Sequence, residues 1–108
     1  IWSIITLRLG RMPLTATIVR AVPDDDRKAV GIWMENDNSQ IRVFVTYEAL
    51  WQIDPSCVRD VASALSIFDA NRARLENLAS ARYDASGADE DGKYEGQPIL
   101  ILRTDDIT

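Results

Sequence analysis

The sequence predicts an α+β domain: a small antiparallel sheet, built from an N-terminal hairpin and a C-terminal strand, packed on one face by two or three helices. Three observations carry the prediction. Two alternating segments, Ala29 to Glu35 and Ile41 to Thr46, flank the turn-forming run Asn36-Asp37-Asn38-Ser39. A long stretch with helical spacing of its apolar residues follows and ends at Tyr83. Four consecutive aliphatic residues, Ile99-Leu100-Ile101-Leu102, come close to the end. Strands separated from a block of helices give an α+β arrangement rather than alternating βα units.

Each element has a local reason. Thr15 to Val22 is rich in β-branched residues and reads as a weak strand or extended arm, ended by Pro23 and the three aspartates after it. In the first alternating segment Val30, Ile32 and Met34 share a face opposite Gly31 and Trp33; in the second Ile41, Val43 and Val45 oppose Arg42 and Phe44. The intervening Asn and Asp side chains bond locally to the backbone and tolerate positive φ. The pair therefore reads as a hairpin with a loop of about four to six residues. Thr46 is placed to cap a short helix, Tyr47 to Gln52, with Glu48 near its positive dipole end. Asp54-Pro55 is a second helix start signal, an N-cap followed by proline at the first helical position. A single helix from there to Tyr83 would run about 43 Å at ~1.5 Å per residue, so a break is expected between Asp60 and Ser66. Ala64, Phe68, Asn71, Leu75, Leu78 and Ala79 fall in one arc, and Gly87 is suited to stop the helix. The four aliphatics read as a strand covered on both faces. Arg103 to Thr108 is polar and expected to fray.

The chain of 108 residues suits one domain. Residues 1–11 are expected to be a non-native or disordered extension, with Met12-Pro13-Leu14 as a natural start, leaving 12–108 as a single α+β domain. The run IWSIITLRLG is too short to span a bilayer and lacks the flanks of a secretory signal. One cysteine, Cys57, allows no internal disulfide, so the expected compartment is the cytoplasm. Cys57 is placed in the first turn of a helix and read as a small packing residue.

Bulk chemistry removes several functions. Histidine is absent, which excludes His-based triads and His metal sites. A net charge of −5 argues against nucleic-acid binding. The acidic run Asp84 to Glu95 fails as a calcium loop: with Gly92 at position 6, Gly87 and Pro98 fall where ligands are needed. It reads as a solvated acidic connection. No glycine-rich phosphate loop or nucleophile elbow is present, and no catalytic residue, metal ligand or cofactor is assigned. Trp33 and Trp51 read as core or interface anchors, with ligand stacking as the alternative.

The one break in the helical pattern is Asn71-Arg72. The first reading is structural: the amide bonds to a backbone group, and the guanidinium pairs with Glu76 or caps a strand end. The second is a small anionic-ligand site made of Asn71, Arg72, Glu76 and Tyr83. Two functional readings follow: a non-catalytic interaction or regulatory module, with a homodimer or protein partner through free sheet edges near Trp33 and Phe44, or a ligand-binding or enzymatic domain centred on Asn71, Arg72 and Tyr83. Neither membrane nor nucleic acid is an expected partner.

The order of several motifs resembles a small bacterial family catalogued as domain of unknown function 1488. These are Asp26-Arg27 before the Val30 to Met34 strand, the Val43 to Val45 strand running into Ala49-Leu50, and a helix with Phe68, Asn71-Arg72, Glu76, Ala79 and Tyr83. The likeness spans Asp25 to Leu102. Arg82 stands where the family usually has lysine, and the segment Ala85 to Gly96 is longer than usual. The resemblance implies a small cytoplasmic α+β domain and brings no catalytic residue with it.

Overall fold

Pairing of the two alternating segments organises the molecule; the computed structural model describes residues 14–17, 19–36, 39–94 and 96–107. The proposed extension at residues 1–11, Trp2 included, lies outside these. Strands β3 (Ala29–Asn36) and β4 (Ser39–Thr46) pair antiparallel along their full lengths, from Ala29↔Thr46 to Asn36↔Ser39. The connection is thus two residues, shorter than expected, because the pairing continues into the turn-forming run itself. The N-terminal arm forms β1 (Thr15–Ala16) and β2 (Val22–Asp24), both antiparallel to β3. The C-terminal aliphatic run forms β6 (Gln97–Leu102) beside β4, and β5 (Glu90–Tyr94) borders β6. Among the described residues the sheet has six strands: β1 and β2 along one side of β3, then β4, β6 and β5.

The fold is α+β and mostly antiparallel, but β4 and β6 run parallel, with Val45 opposite Leu102. A parallel pair needs a long crossover. Helices α1 (Tyr47–Ile53), α2 (Val61–Ala70) and α3 (Arg72–Ser86) supply it. The reversal from β5 into β6 then brings the chain in beside β4 in the same direction.

Alternation sorts the side chains onto two faces. Val30, Ile32, Met34, Ile41, Val43, Val45, Leu100 and Leu102 meet Ala49, Leu50, Ala64, Phe68, Leu75 and Ala79 from the helices in the main core. Each large side chain fully buried there contributes roughly 1.5–3 kcal/mol. The opposite face holds a smaller cluster: Ala29, Phe44, Ile99 and Ile101. The aliphatic run is therefore covered on both faces, as its composition demands. On this second face Arg42, only 5% exposed, lies between the rings of Trp33 and Phe44, 5.0 and 5.2 Å from their centroids. Gly31 makes room for it. A Cβ at Gly31 would stand 2.7 Å from Arg42 Nη2 and 2.9 Å from the Phe44 ring. Phe44 is fully buried and Trp33 half-buried, so the aromatic pair expected near a free edge is engaged with Arg42.

Four local expectations are corrected. Asp54-Pro55 does not open a helix. Asp54 ends α1 and accepts from the Ser56 hydroxyl, and its carbonyl accepts from Cys57 N–H. Cys57 therefore sits half-buried in a turn. The helix starts at Val61, capped by Asp60, whose carboxylate accepts from Ser63 N–H at 2.8 Å. That satisfies an orphan amide, and the helix it starts buries Ala64, Ile67 and Phe68 in the main core. The second correction is a further interruption at Asn71, beyond the expected window. The third is the acidic connection: α3 runs on to Ser86, Gly87 stops it at φ 77°, and Glu90–Tyr94 is a strand. The fourth is the tail: Thr104–Ile107 forms helix α4 because Ile107 is buried against the main core.

One edge detail ties these together. Pairing between β5 and β6 ends at Glu90↔Ile99. Beyond it, Ile101 N–H donates to Asp89 Oδ2 at 2.7 Å, and Arg82 Nη1 donates to the Ile101 carbonyl at 2.6 Å. Arg82 also pairs with Asp89 and with Asp106. Two side chains thus replace the ladder partners that a longer β5 would provide, meeting the backbone requirement for hydrogen bonds.

Candidate functional site

None of the pockets among the described residues gathers Asn71, Arg72, Glu76 and Tyr83, the residues singled out by the broken helical pattern. Asn71 is the junction of α2 and α3. Its N–H reaches the carbonyls of Ile67 and Phe68, and its Nδ2 donates to Ile67 O at 2.8 Å. Arg72 pairs with Glu76 through Nε at 2.9 Å. Its Nη2 donates to the carbonyls of Thr17 and Val19 at 3.2 and 2.9 Å. Those carbonyls lie in the gap between β1 and β2, so the guanidinium closes the interrupted edge. Tyr83 is eleven residues further along α3, on the order of 16 Å away, and packs against the main core. A small pocket of about 230 Å³ does touch Arg72, with Arg20, Ala21, Leu65 and Asp69, but none of Asn71, Glu76 or Tyr83 lines it.

A larger cleft lies elsewhere, at the carboxyl ends of the parallel pair. Where β4 passes into α1 and β6 into α4, the chains diverge. The opening, about 550 Å³, is lined by Arg27, Lys28, Thr46, Tyr47, Glu48, Trp51, Arg103, Thr104 and Asp105. That is within the range of small-molecule sites. A compartment of about 250 Å³ shares Arg27, Thr46 and Arg103 with it and continues over Phe44 and Ile101.

Local structure places each group. Asp24 Oδ1 accepts from the N–H groups of Asp26 and Arg27, folding the triple-aspartate turn. Lys28 adopts φ 52°, and its carbonyl accepts from Tyr47 N–H at 2.8 Å, joining this turn to α1. Arg27 lies over the Phe44 ring at 4.9 Å and binds both carboxylate oxygens of Glu90 at 3.2 Å. Thr46 caps α1 by accepting from Ala49 N–H. One turn apart on that helix, Tyr47 and Trp51 place their ring centroids 5.8 Å from each other. The Trp51 indole donates to Asp60 O, fixing the ring. Among the described residues neither Lys28 nor Arg103 makes an ion pair, in a chain where acids outnumber basic residues 17 to 12.

Burial raises the Tyr47 phenol above its ordinary value, with the charge of Asp25, the hydrogen bond to it and the charge of Asp24 adding to the effect. The hydroxyl therefore stays a proton donor across the neutral range. Among the described residues no group of three or more His, Cys, Asp or Glu side chains is arranged to hold a metal ion. Nor is any helix among them long and apolar enough to cross a membrane.

Sequence reasoning did not gather Arg27, Lys28, Tyr47, Trp51 and Arg103 into a site. Partial signals existed in the Asp26-Arg27 pair, the Thr46 cap and the tryptophan at Trp51. Only the parallel register of β4 and β6 brings them together.

Fold and cleft together define a small α+β domain with a side-chain-lined opening at the ends of two parallel strands. The chain belongs to the family described as Protein of unknown function (DUF1488), whose model matches residues 20–95. It is similar to a solved protein of unknown function from that family, from Shewanella loihica PV-4. The two share 16% identity at a TM-score of 0.65, over 82% of this chain and 92% of the other. At that identity the likeness shows the shared fold. Comparison with curated proteins gives no match.

Proposed function

We propose that this domain is a non-catalytic binding module that takes a small ligand bearing an anionic group in the cleft at the ends of β4 and β6. The observation that carries the reading is the pair Lys28 and Arg103: two cations lining one cleft, without ion-pair partners among the described residues of an acidic domain. A cleft concentrates the field of such charges, and an anion there gains charge-assisted hydrogen bonds. Arg27, held by Glu90, supplies a third cation to the lining. A non-catalytic role is supported by the absence of histidine and by a Tyr47 phenol shifted away from the anionic form a base or nucleophile would need.

Titration with inorganic phosphate and with acetate at low ionic strength, followed by amide chemical shifts, tests the reading. Shifts are expected at Arg27, Lys28, Arg103 and Thr104 and are expected to vanish in the Lys28→Gln/Arg103→Gln double variant. Unmoved cleft amides, or equal binding by the variant, would overturn it.

A second reading, association with a protein partner or a second copy, draws on apolar side chains left in water. Val58 is 71% exposed, Val22 47% and Val61 37%, the last two on elements that pack together. Light scattering at micromolar concentration tests self-association; a strict monomer removes the homodimer.

A further inference from the structure

Besides the two cations, the same cleft presents two carboxylates. Glu48 stands in the first turn of α1 and Asp105 in α4, and both line the 550 Å³ opening with Lys28 and Arg103. Among the described residues none of the four is ion-paired, although every acid–base pair in the cleft has the signs to neutralise itself. An exposed ion pair contributes little, so little opposes a ligand that engages these charges instead. Lys28 stands in the turn before β3, Glu48 in the first turn of α1, and Arg103 and Asp105 on the segment after β6. Tyr47, only 5% exposed, and the half-buried Trp51 also line the opening, the Trp51 ring oriented by its indole hydrogen bond.

We infer that the ligand of this cleft is a free α-amino acid with an aromatic side chain. Its carboxylate meets Lys28 and Arg103, its ammonium group meets Glu48 and Asp105, and its ring lies against Tyr47 and Trp51. The inference rests on the anion-binding reading above and adds two requirements to it, the amine and the ring. A simple anion would leave Glu48 and Asp105 repelling it from the same lining; a zwitterion turns that repulsion into attraction. The volume accommodates a single amino acid of large side chain and excludes a macromolecular partner from the interior.

The test uses the whole chain and four probes in isothermal titration: L-phenylalanine, 3-phenylpropanoate, phenethylamine and glycine. L-phenylalanine is expected to bind at least tenfold more tightly than each of the other three. Glu48→Gln with Asp105→Asn is expected to bring L-phenylalanine and 3-phenylpropanoate to within about twofold of each other. All four substituted positions in the two double variants are solvent-exposed, so folding, checked by circular dichroism, is expected to be unaltered. If 3-phenylpropanoate equals or exceeds L-phenylalanine, the amino-acid assignment is overturned while anion binding stands. If glycine binds as well as L-phenylalanine, the ring requirement, and with it the assignment, is overturned. If none of the three carboxylate probes binds and phosphate does not bind either, both readings fall.

Discussion

Replacing Arg72 by Met separates a structural clamp from a ligand site. Methionine keeps an apolar stem of similar reach, so packing near Phe68 is largely retained and the loss is polar. Four interactions disappear: the pair with Glu76, the donations to the carbonyls of Thr17 and Val19, and the guanidinium's place over the Phe68 ring. The Arg72 side chain is 26% exposed and that of Glu76 14%, so this is neither a free surface pair nor a fully desolvated one. A partly exposed pair contributes up to ~1 kcal/mol. A hydrogen bond from a charged donor adds ~1.5 kcal/mol in the lower part of its range, and less where water can replace the donor. The sum is about 2–3 kcal/mol, a large share of the roughly 5–15 kcal/mol available to a domain. Urea unfolding by far-UV circular dichroism should show a lower midpoint at constant slope, and melting should fall on the order of 10–20 °C. The amides of Thr17 and Val19 should exchange faster, because the gap between β1 and β2 loses its clamp. A change below about 0.5 kcal/mol, the range of neutral surface substitutions, would refute the reasoning. Binding of phosphate or acetate at the cleft should be unaffected; its loss with unchanged stability would return Arg72 to a ligand role.

Three other perturbations probe different parts of the structure. Asp89→Ala removes the acceptor of Ile101 N–H and one partner of Arg82, and should cost about 1–3 kcal/mol by urea unfolding; an unchanged midpoint would show that β6 needs no such cap. Gly31→Ala places a Cβ 2.7 Å from Arg42 Nη2 and 2.9 Å from the Phe44 ring, so an overpacking loss of roughly 1–3 kcal/mol is expected, with altered Trp33 fluorescence. A wild-type midpoint would mean that the Arg42 stack yields freely. Tyr47 gives a pH signature. Its folded pKa lies above the unfolded value of roughly 10, so its contribution is complete below that pH and lost as pH rises through the folded pKa. Absorbance titration should show a tyrosine step above the ordinary phenol range, and Tyr47→Phe should abolish that step.

Much of the fold was legible because its signals are local. Alternation at Val30, Ile32 and Met34 and at Ile41, Val43 and Val45 carries the hairpin, since side chains of a strand point to opposite faces whatever lies beyond. Thr46 and Gly87 mark helix ends through backbone groups within four residues of themselves. Asp54-Pro55 misled for the same reason. It has the right chemistry for a helix start, but no apolar face follows to pack on the core, and packing decides which of two start signals is used. The strand Glu90–Tyr94 escaped notice because an edge strand takes its hydrogen bonds from a neighbour, not from its own composition. The candidate site was the least legible part. Arg27 and Lys28 precede β3, Tyr47 and Trp51 follow β4, and Arg103 follows β6; nothing in their spacing relates them.

By itself, then, the amino-acid order settled the type and rough extent of the main elements, their inward faces, and the histidine chemistry that is impossible. The tertiary structure decided that β6 lies parallel to β4, that Arg72 serves the edge arm, and that five separated residues share one cleft. The reason is physical. Periodicity and capping act over a few residues, whereas strand direction and cleft formation depend on which distant backbone segments find each other when the core is buried.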